Sequence, residues 1–259
     1  MALVEQPWAL FLVLLASLLV VVELGRRVGQ RPSISADEVR HEQLEWARDA
    51  IGLLLSLILG FTLAMALARF DQRQQLIVDE ANAIGTASLR AEMLPQPSRE
   101  RLAVLLRAYV AERIRFSTAR LHAQELSESV ARTKDLQSQM WEQSVEASKT
   151  APNAITSLFV QSLNEVIDLS EKRMATLENR VPQPIWIMLT LLSLLECLAA
   201  GMCVRRKSWF VMVISPLMIA IVMSLIADLN SPRAGFLQTG RGSMERLQQD
   251  LGADAPRTK

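Results

Sequence analysis

Asp79, Asn82 and Thr86 stand at i, i+3 and i+7, so a helix through them carries one polar face with Gly85 beside it. Carboxylate, amide and hydroxyl groups in that pattern have two readings. One is an ordinary solvated face; the other is the lining of an ion path or of a subunit seam. The face is neither lysine-rich nor repetitive, which counts against the first. Glu196 interrupts an apolar run, where a carboxylate is costly and points to a functional role. The alternative is snorkelling, or pairing with Arg26, Arg27, Arg205 or Arg206 at the same end of the membrane; Glu23, at a run boundary, has the same alternative. His41 and Glu45, four apart, could supply two metal ligands, but with no third ligand nearby they read as a surface pair. Cys197 and Cys203 lie in or beside an apolar run and read as reduced and structural. With no Ser/His/Asp set, phosphate-binding glycine loop or zinc motif, the sequence argues against an enzyme and calls for no metal and no cofactor.

The elements that must position these residues are apolar helices. The 259-residue chain is 50% hydrophobic with mean hydropathy +0.20, yet 21% charged, a balance that suits a membrane protein with a sizeable extramembrane part. Its net charge of +1 provides no field for nucleic acid. Four runs stand out: Pro7 to Leu24, Ala50 to Ala68, Ile185 to Val204, and Trp209 to Ala227 with Pro216 inside. Each has about the 18–20 residues that cross ~30 Å of hydrocarbon, and only a helix can do so singly. The first reads as a retained anchor, because it starts with Glu5 and ends in Val-Val-Val-Glu-Leu-Gly-Arg-Arg, without a small-residue cleavage site.

Arg26, Arg27, Arg31, Arg40 and Arg48 lie between runs one and two, and Arg205-Arg206-Lys207 between runs three and four. The positive-inside rule makes both links cytoplasmic, which puts the termini and the long middle segment on the extracytoplasmic side of a cell membrane.

Ser35-Ala36-Asp37-Glu38 matches a capping box, and from Ala36 to Leu94 there is no proline, so one long helix is expected through span two and beyond it, ended by Pro95 and Pro97. Leu102, Leu105, Leu106, Tyr109, Val110 and Ile114 mark a second helical face from Ser98, with a break near Ser117–Ala119. Leu126, Val130, Met140, Trp141 and Val145 form a sparser third. A last helix after Pro152 has Ile155, Leu158, Phe159, Leu163, Val166, Ile167, Met174 and Leu177 on its apolar face, and Val181-Pro182-Gln183-Pro184 stops it. Asp228 to Phe236 reads as turn and Ala253 to Lys259 as a frayed end.

The prediction is an all-α integral membrane protein: four transmembrane helices with a helical-bundle insert between spans two and three. In residue numbers these are span 1 (1–24), a basic link with a juxtamembrane helix (25–49), span 2 (50–68), the bundle (69–184), span 3 (185–204), a basic link (205–208), span 4 (209–227) and a tail (228–259). Ser56, Gly60, Ala64 and Ala68 repeat every four residues on span 2, and Ser193, Cys197 and Gly201 on span 3. Small residues at that spacing let helix backbones approach closely in lipid, within one subunit or between subunits.

The stretch from Gly60 to Pro95, GFTLAMALARFDQRQQLIVDEANAIGTASLRAEMLP, followed by LLRAYV and later DLNSPRAGF, resembles the bestrophin-like family of bacterial and plant multi-pass membrane proteins. The resemblance runs from about Ala50 to Phe236, and its specific part is the Asp79–Gly85 core with the leucine-arginine and proline after it. It implies a distant similarity to bestrophins, oligomeric anion channels with four spans per subunit and a cytoplasmic insert. No acidic calcium clasp is visible, and no pore residue carries over. Two functions follow as expectations. In the first, the chain is a homo-oligomeric channel-like subunit in the lipid bilayer, in which Gly60, Ala64 and Ala68 allow tight assembly and Asp79, Asn82 and Thr86 form polar rings. In the second, it is a non-conducting sensor or scaffold whose helical domain meets a protein partner through Asp79 and Glu80.

Overall fold

The computed structural model describes residues 7–30, 38–118, 123–204, 209–231, 240 and 242–253. Every regular element among them is helical: α1 (Pro7–Gly29), α2 (Glu38–Ala91), α3 (Ser98–Thr118), α4 (Ala123–Thr150), α5 (Ala154–Glu178), α6 (Gln183–Cys203), α7 (Trp209–Asn230) and α8 (Gly242–Ala253). Four of them, α1, α2, α6 and α7, are long and apolar enough to cross a membrane. The chain is an all-α integral membrane protein. It divides into two compact units, Met1–Phe70 with Arg180–Gln238, and Asp71–Asn179 with Thr239–Lys259.

In the first unit α1 packs on α6 and α7. Its core holds Leu18 and Val22 of α1, Leu55, Leu59 and Ala66 of α2, Leu189 and Cys197 of α6, and Met223 and Ile226 of α7. Apolar matching alone does not fix such a contact in lipid, because the tails are as apolar as the side chains; close backbone approach does. A Cβ on Gly201 would stand 2.1 Å from the Val22 carbonyl oxygen and 2.9 Å from the Arg26 nitrogen. One on Gly25 would meet the Leu198 carbonyl oxygen at 2.2 Å, and one on Gly29 the Met202 carbonyl oxygen at 2.4 Å. The span-3 stripe Ser193, Cys197 and Gly201 is buried within the subunit, Gly201 against α1 and Ser193 bonded to Met223 of α7. The span-2 stripe is not: Ser56, Gly60, Ala64 and Ala68 are all exposed, and a Cβ on Gly60 would meet nothing within 4 Å.

The second unit packs α3 on α4, α4 on α5 and α3 on α8. Ile84 and Ala87 of α2, Leu102, Leu106 and Val110 of α3, Leu136 and Met140 of α4, Phe159, Leu163 and Val166 of α5 and Met244 of α8 form its apolar core. Asn153 caps α5, its Oδ1 accepting from the Thr156 N–H at 3.0 Å.

Several expectations change. The long helix ends at Ala91, ahead of Pro95, because an α-helix closes before the residue that precedes a proline. Asp228 to Asn230 are helical and extend α7; the Asn230 Oδ1 accepts from the Val181 N–H at 2.8 Å. The tail contains α8, whose Leu247 reaches Gly85. The inward face of α4 is Ser129, Thr133, Leu136, Gln137, Met140, Ser144 and Ala147, whereas Trp141 and Val145 stand outward. Apolar spacing misplaced that face because half of it is polar: Ser129, Gln137 and Ser144 are hydrogen-bonded internally, while Thr133 Oγ1 is buried without a partner among the described residues. Ile155 and Leu158 likewise point outward while Phe159, Leu163 and Val166 point in. The capping-box residues 35–37, the basic link 205–208 and the turn residues 232–236 lie outside the described residues.

A Cβ on Gly201 meets backbone, which no rotamer change can relieve. Gly201→Val is expected to destabilise the protein at the upper end of the ~1–3 kcal/mol typical of overpacking. Gly60→Val should leave the subunit's own fold intact. Thermal unfolding of the two detergent-purified variants checks this; equal losses would show that Gly201 is not a backbone contact.

Candidate functional site

The candidate residues on α2 share one azimuth. At about 100° per residue, Leu57, Gly60, Ala64, Ala68, Asp71, Gln75, Asn82, Thr86 and Leu89 fall within about 80° of arc, with Asp79 at its edge. In the first unit Leu57, Gly60, Phe61, Ala64, Leu67 and Ala68 are exposed, Phe61 by 68%. In the second, Asp71, Gln75, Asn82, Thr86 and Leu89 are exposed. Asp79 is half-buried and accepts from Gln75 Nε2 at 2.9 Å, and Gly85 lies against Leu247. The face is apolar and small along the span and turns polar after it. Among the described residues, Gly60 in the first unit and Asn82 and Thr86 in the second are exposed.

Among the described residues Glu196 pairs with neither Arg26 nor Arg27, two of the arginines that were its plain explanation. Arg26 bonds Glu23 through Nε at 2.8 Å and Nη2 at 2.6 Å, and Arg27 joins the same carboxylate at 2.9 Å. Glu23 thus keeps its boundary pairing, while Arg205 and Arg206 lie outside the described residues. The Glu196 Oε2 is buried without a hydrogen-bond partner and faces α2 at Gly52, where a Cβ would approach it to 3.3 Å. His41 Nε2 lies 3.3 Å from Glu45, a pair within one helix. Among the described residues no three His, Cys, Asp or Glu side chains gather as a metal site.

The strongest polar constellation is one the sequence reading passed over. Glu80, next to Asp79, is fully buried. Its Oε1 accepts from Arg113 Nε at 2.6 Å and from the Tyr109 hydroxyl at 3.4 Å. Its Oε2 accepts from Arg113 Nη2 at 3.2 Å and Arg173 Nη1 at 2.7 Å. Gln137 Nε2 donates to the Tyr109 oxygen at 3.2 Å, and Arg173 Nη2 to Ser117 Oγ at 2.6 Å. The Phe116 ring lies under both guanidinium groups, 4.9 Å from Arg113 and 5.6 Å from Arg173. Ser129 Oγ donates to Glu112 beside this centre. Burial pushes the Tyr109 hydroxyl above its ordinary range, and burial with the Arg113 charge lowers the Arg173 guanidinium below its own. Glu80 cannot meet a partner, as one expectation had it. A signal was present: Glu80 falls in register with Ile77, Ile84 and Ala87 on the core side of α2, Arg113 follows Tyr109 by one turn, and Arg173 follows Val166 by two.

Glu80→Gln removes the carboxylate that the buried Arg113 and Arg173 guanidinium groups share. Breaking a buried ion pair from one side costs about 3–5 kcal/mol. The variant is expected to unfold at markedly lower denaturant than the wild type, whereas Asp79→Asn, a half-buried neighbour, should lose less than about 1 kcal/mol. Chemical denaturation of both decides; similar midpoints would remove Glu80 from its central place.

Three comparisons place the chain. A model of the Bestrophin-like domain matches residues 10–244. No curated protein matches. Among solved structures, a tryptophan-to-alanine variant of a bacterial bestrophin homologue from Klebsiella pneumoniae has a TM-score of 0.69 at 16% identity, over 92% of this chain and 95% of that one. The homologue from the same organism solved by Zn-SAD phasing has a TM-score of 0.67 at 15% identity, over 93% and 96%. A proline-to-alanine variant titled only as a membrane protein has 0.66 at 15%, over 92% and 97%. At such identities the structures speak for the fold alone, and the match over residues 10–244 speaks for the family: the chain is an integral membrane protein that belongs to the Bestrophin-like family.

Proposed function

We propose that the protein is a subunit of a homo-oligomeric, ion-conducting membrane assembly in which the outward face of α2 lines the path or the seam beside it. The observation that carries this is the uncovered stripe through Gly60, Ala64, Ala68, Asn82 and Thr86 on a membrane-spanning helix. Small exposed residues in the span allow a neighbouring backbone to approach, and the amide and hydroxyl beyond it offer dipoles to a passing ion. Family analogy makes that ion an anion. Asp79, half-buried, and Gly85, against Leu247, support the face from its edge. Glu196 serves as an intramembrane acid facing Gly52.

A second reading keeps the fold and drops conduction. Leu89, Met93, Val104, Ile155 and Leu158 are exposed on the second unit, and such side chains suit a scaffold that binds a protein partner.

Purified protein in liposomes tests both. Light-scattering mass corrected for detergent should show one closed ring of several subunits. Asn82→Leu is expected to reduce ion flux at least tenfold with the particle mass unchanged. A monomer, or unchanged flux in an intact ring, would favour the scaffold.

The basic links at Arg26–Arg48 and Arg205–Lys207 support an extracytoplasmic bundle and extracytoplasmic termini. A cysteine replacing exposed Trp141 should then react with a membrane-impermeant thiol reagent on intact cells. Reaction only after permeabilisation would put the bundle in the cytoplasm, as in the bestrophins this family resembles.

A further inference from the structure

In the second unit two helices hold opposite flanks of α2. On one flank is α8. The Gly240 N–H just before it donates to Gln74 Oε1 at 2.7 Å, its Leu247 reaches Gly85, and its Met244 is buried in the apolar core. On the other flank is α5. Ala83 is 6% exposed there, and Arg90 Nη1 donates to the Leu158 carbonyl oxygen at 2.8 Å. At about 100° per residue, Gln74 and Gly85 lie roughly 90° round α2 from the mean direction of Asn82 and Thr86. Ala83 and Arg90 lie roughly 70° round the other way. Glu80 and Ile84 point backwards, into the core.

This layout decides what a second copy would touch. Each subunit of a closed ring meets a neighbour on either side of the line that points to the ring axis. Should the outward face of α2 point along that line, the neighbours stand on the flanks of α8 and α5. Should a neighbour's helix cover that face instead, it and α8 both rest on α2 at ~8–10 Å between axes, about 90° apart. Their own axes are then about 11–14 Å apart, close to the ~10–12 Å width of a helix with its side chains. In either arrangement α8 stands beside the next chain.

We propose that α8 is a subunit-contact element, packed in the assembly between its own α2 and the α5 edge of a second copy of this chain. The inference rests on the homo-oligomeric reading above and names the surface that reading needs. The contact joins two different edges, the heterologous kind that closes a ring. Ile155 and Leu158 are 41% and 46% exposed on the α5 edge. Arg246 and Gln249 are exposed on the side of α8 away from Met244 and Leu247. Their long stems can lie over apolar side chains while their polar ends stay in water.

The test uses the full-length protein in detergent, carrying Gln249→Cys and Leu158→Cys and treated with a short bismaleimide. Denaturing electrophoresis should show a ladder of covalent multimers up to the subunit number found by light scattering. Each single variant should remain monomeric on the gel, which controls for Cys197 and Cys203. Monomer bands alone from an intact ring overturn the proposal and leave the assembly standing. A wild type that scatters as a monomer overturns the assembly and the proposal with it. Should the double variant fail to assemble, Gln249→Cys alone decides. In the intact ring it should react with a bulky polyethylene-glycol maleimide at least tenfold more slowly than Trp141→Cys, above the wild-type background. Equal rates overturn the proposal.

Discussion

A buried carboxylate must be matched or it unfolds what surrounds it, and in the second unit that constraint falls on Glu80. Three helices meet at its two oxygens: α2 provides the acceptor, α3 provides Arg113 and Tyr109, and α5 provides Arg173. The fourth, α4, attaches one bond further out through Gln137 and Ser129. Apolar packing among Leu102, Leu106, Leu136, Met140, Phe159 and Leu163 would tolerate small sliding or rotation of these helices, since such side chains fit one another in many ways. Directed charge-assisted bonds would not. The bidentate grip of Arg113 fixes α3 against α2 in rotation as well as in height. The polar centre thus selects one arrangement among many that burial alone would permit.

The first unit solves the matching problem with shape. Its helices have little hydrophobic incentive to associate in lipid, so contact is made where side chains are missing: Gly25, Gly29 and Gly201 bring α1 and α6 to backbone distance. The other small-residue stripe, on α2, is exposed among the described residues. The same sequence pattern therefore has two fates, and only the structure separates them.

Much of the architecture was readable from composition and spacing. Four apolar runs of bilayer length and a glycine- and proline-free stretch from Ser98 to Ala151 define the helices, because both signals are local. The face of α4 was not readable. Its buried side is Ser129, Thr133, Gln137 and Ser144 as much as it is Leu136 and Met140, so a search for apolar periodicity picks Trp141 and Val145 instead. The same blindness hid the ionic centre. Glu80, Arg113 and Arg173 come together across sequence gaps of 33 and 93 residues, and their place in register with apolar faces was the one local sign that they are not solvated charges. Helix α8 was missed because twelve residues with few apolar side chains form a stable helix only when something already folded receives Met244 and Leu247.

Helix α2 runs 54 residues without interruption and carries the buried stripe of each unit on its surface. Leu55, Ala66 and Ile77 recur at intervals of eleven, as do Thr62, Arg73 and Ile84. Eleven residues make about three turns, the interval at which buried positions recur along a helix. One residue added between Glu80 and Ile84 would turn Ile84 and Ala87 by about 100° relative to Ile77 and Glu80. Either Glu80 would leave Arg113 and Arg173, or Ile84 and Ala87 would leave the apolar core of the second unit. Within each unit's stretch of α2, single insertions and deletions therefore break the register of the buried stripe.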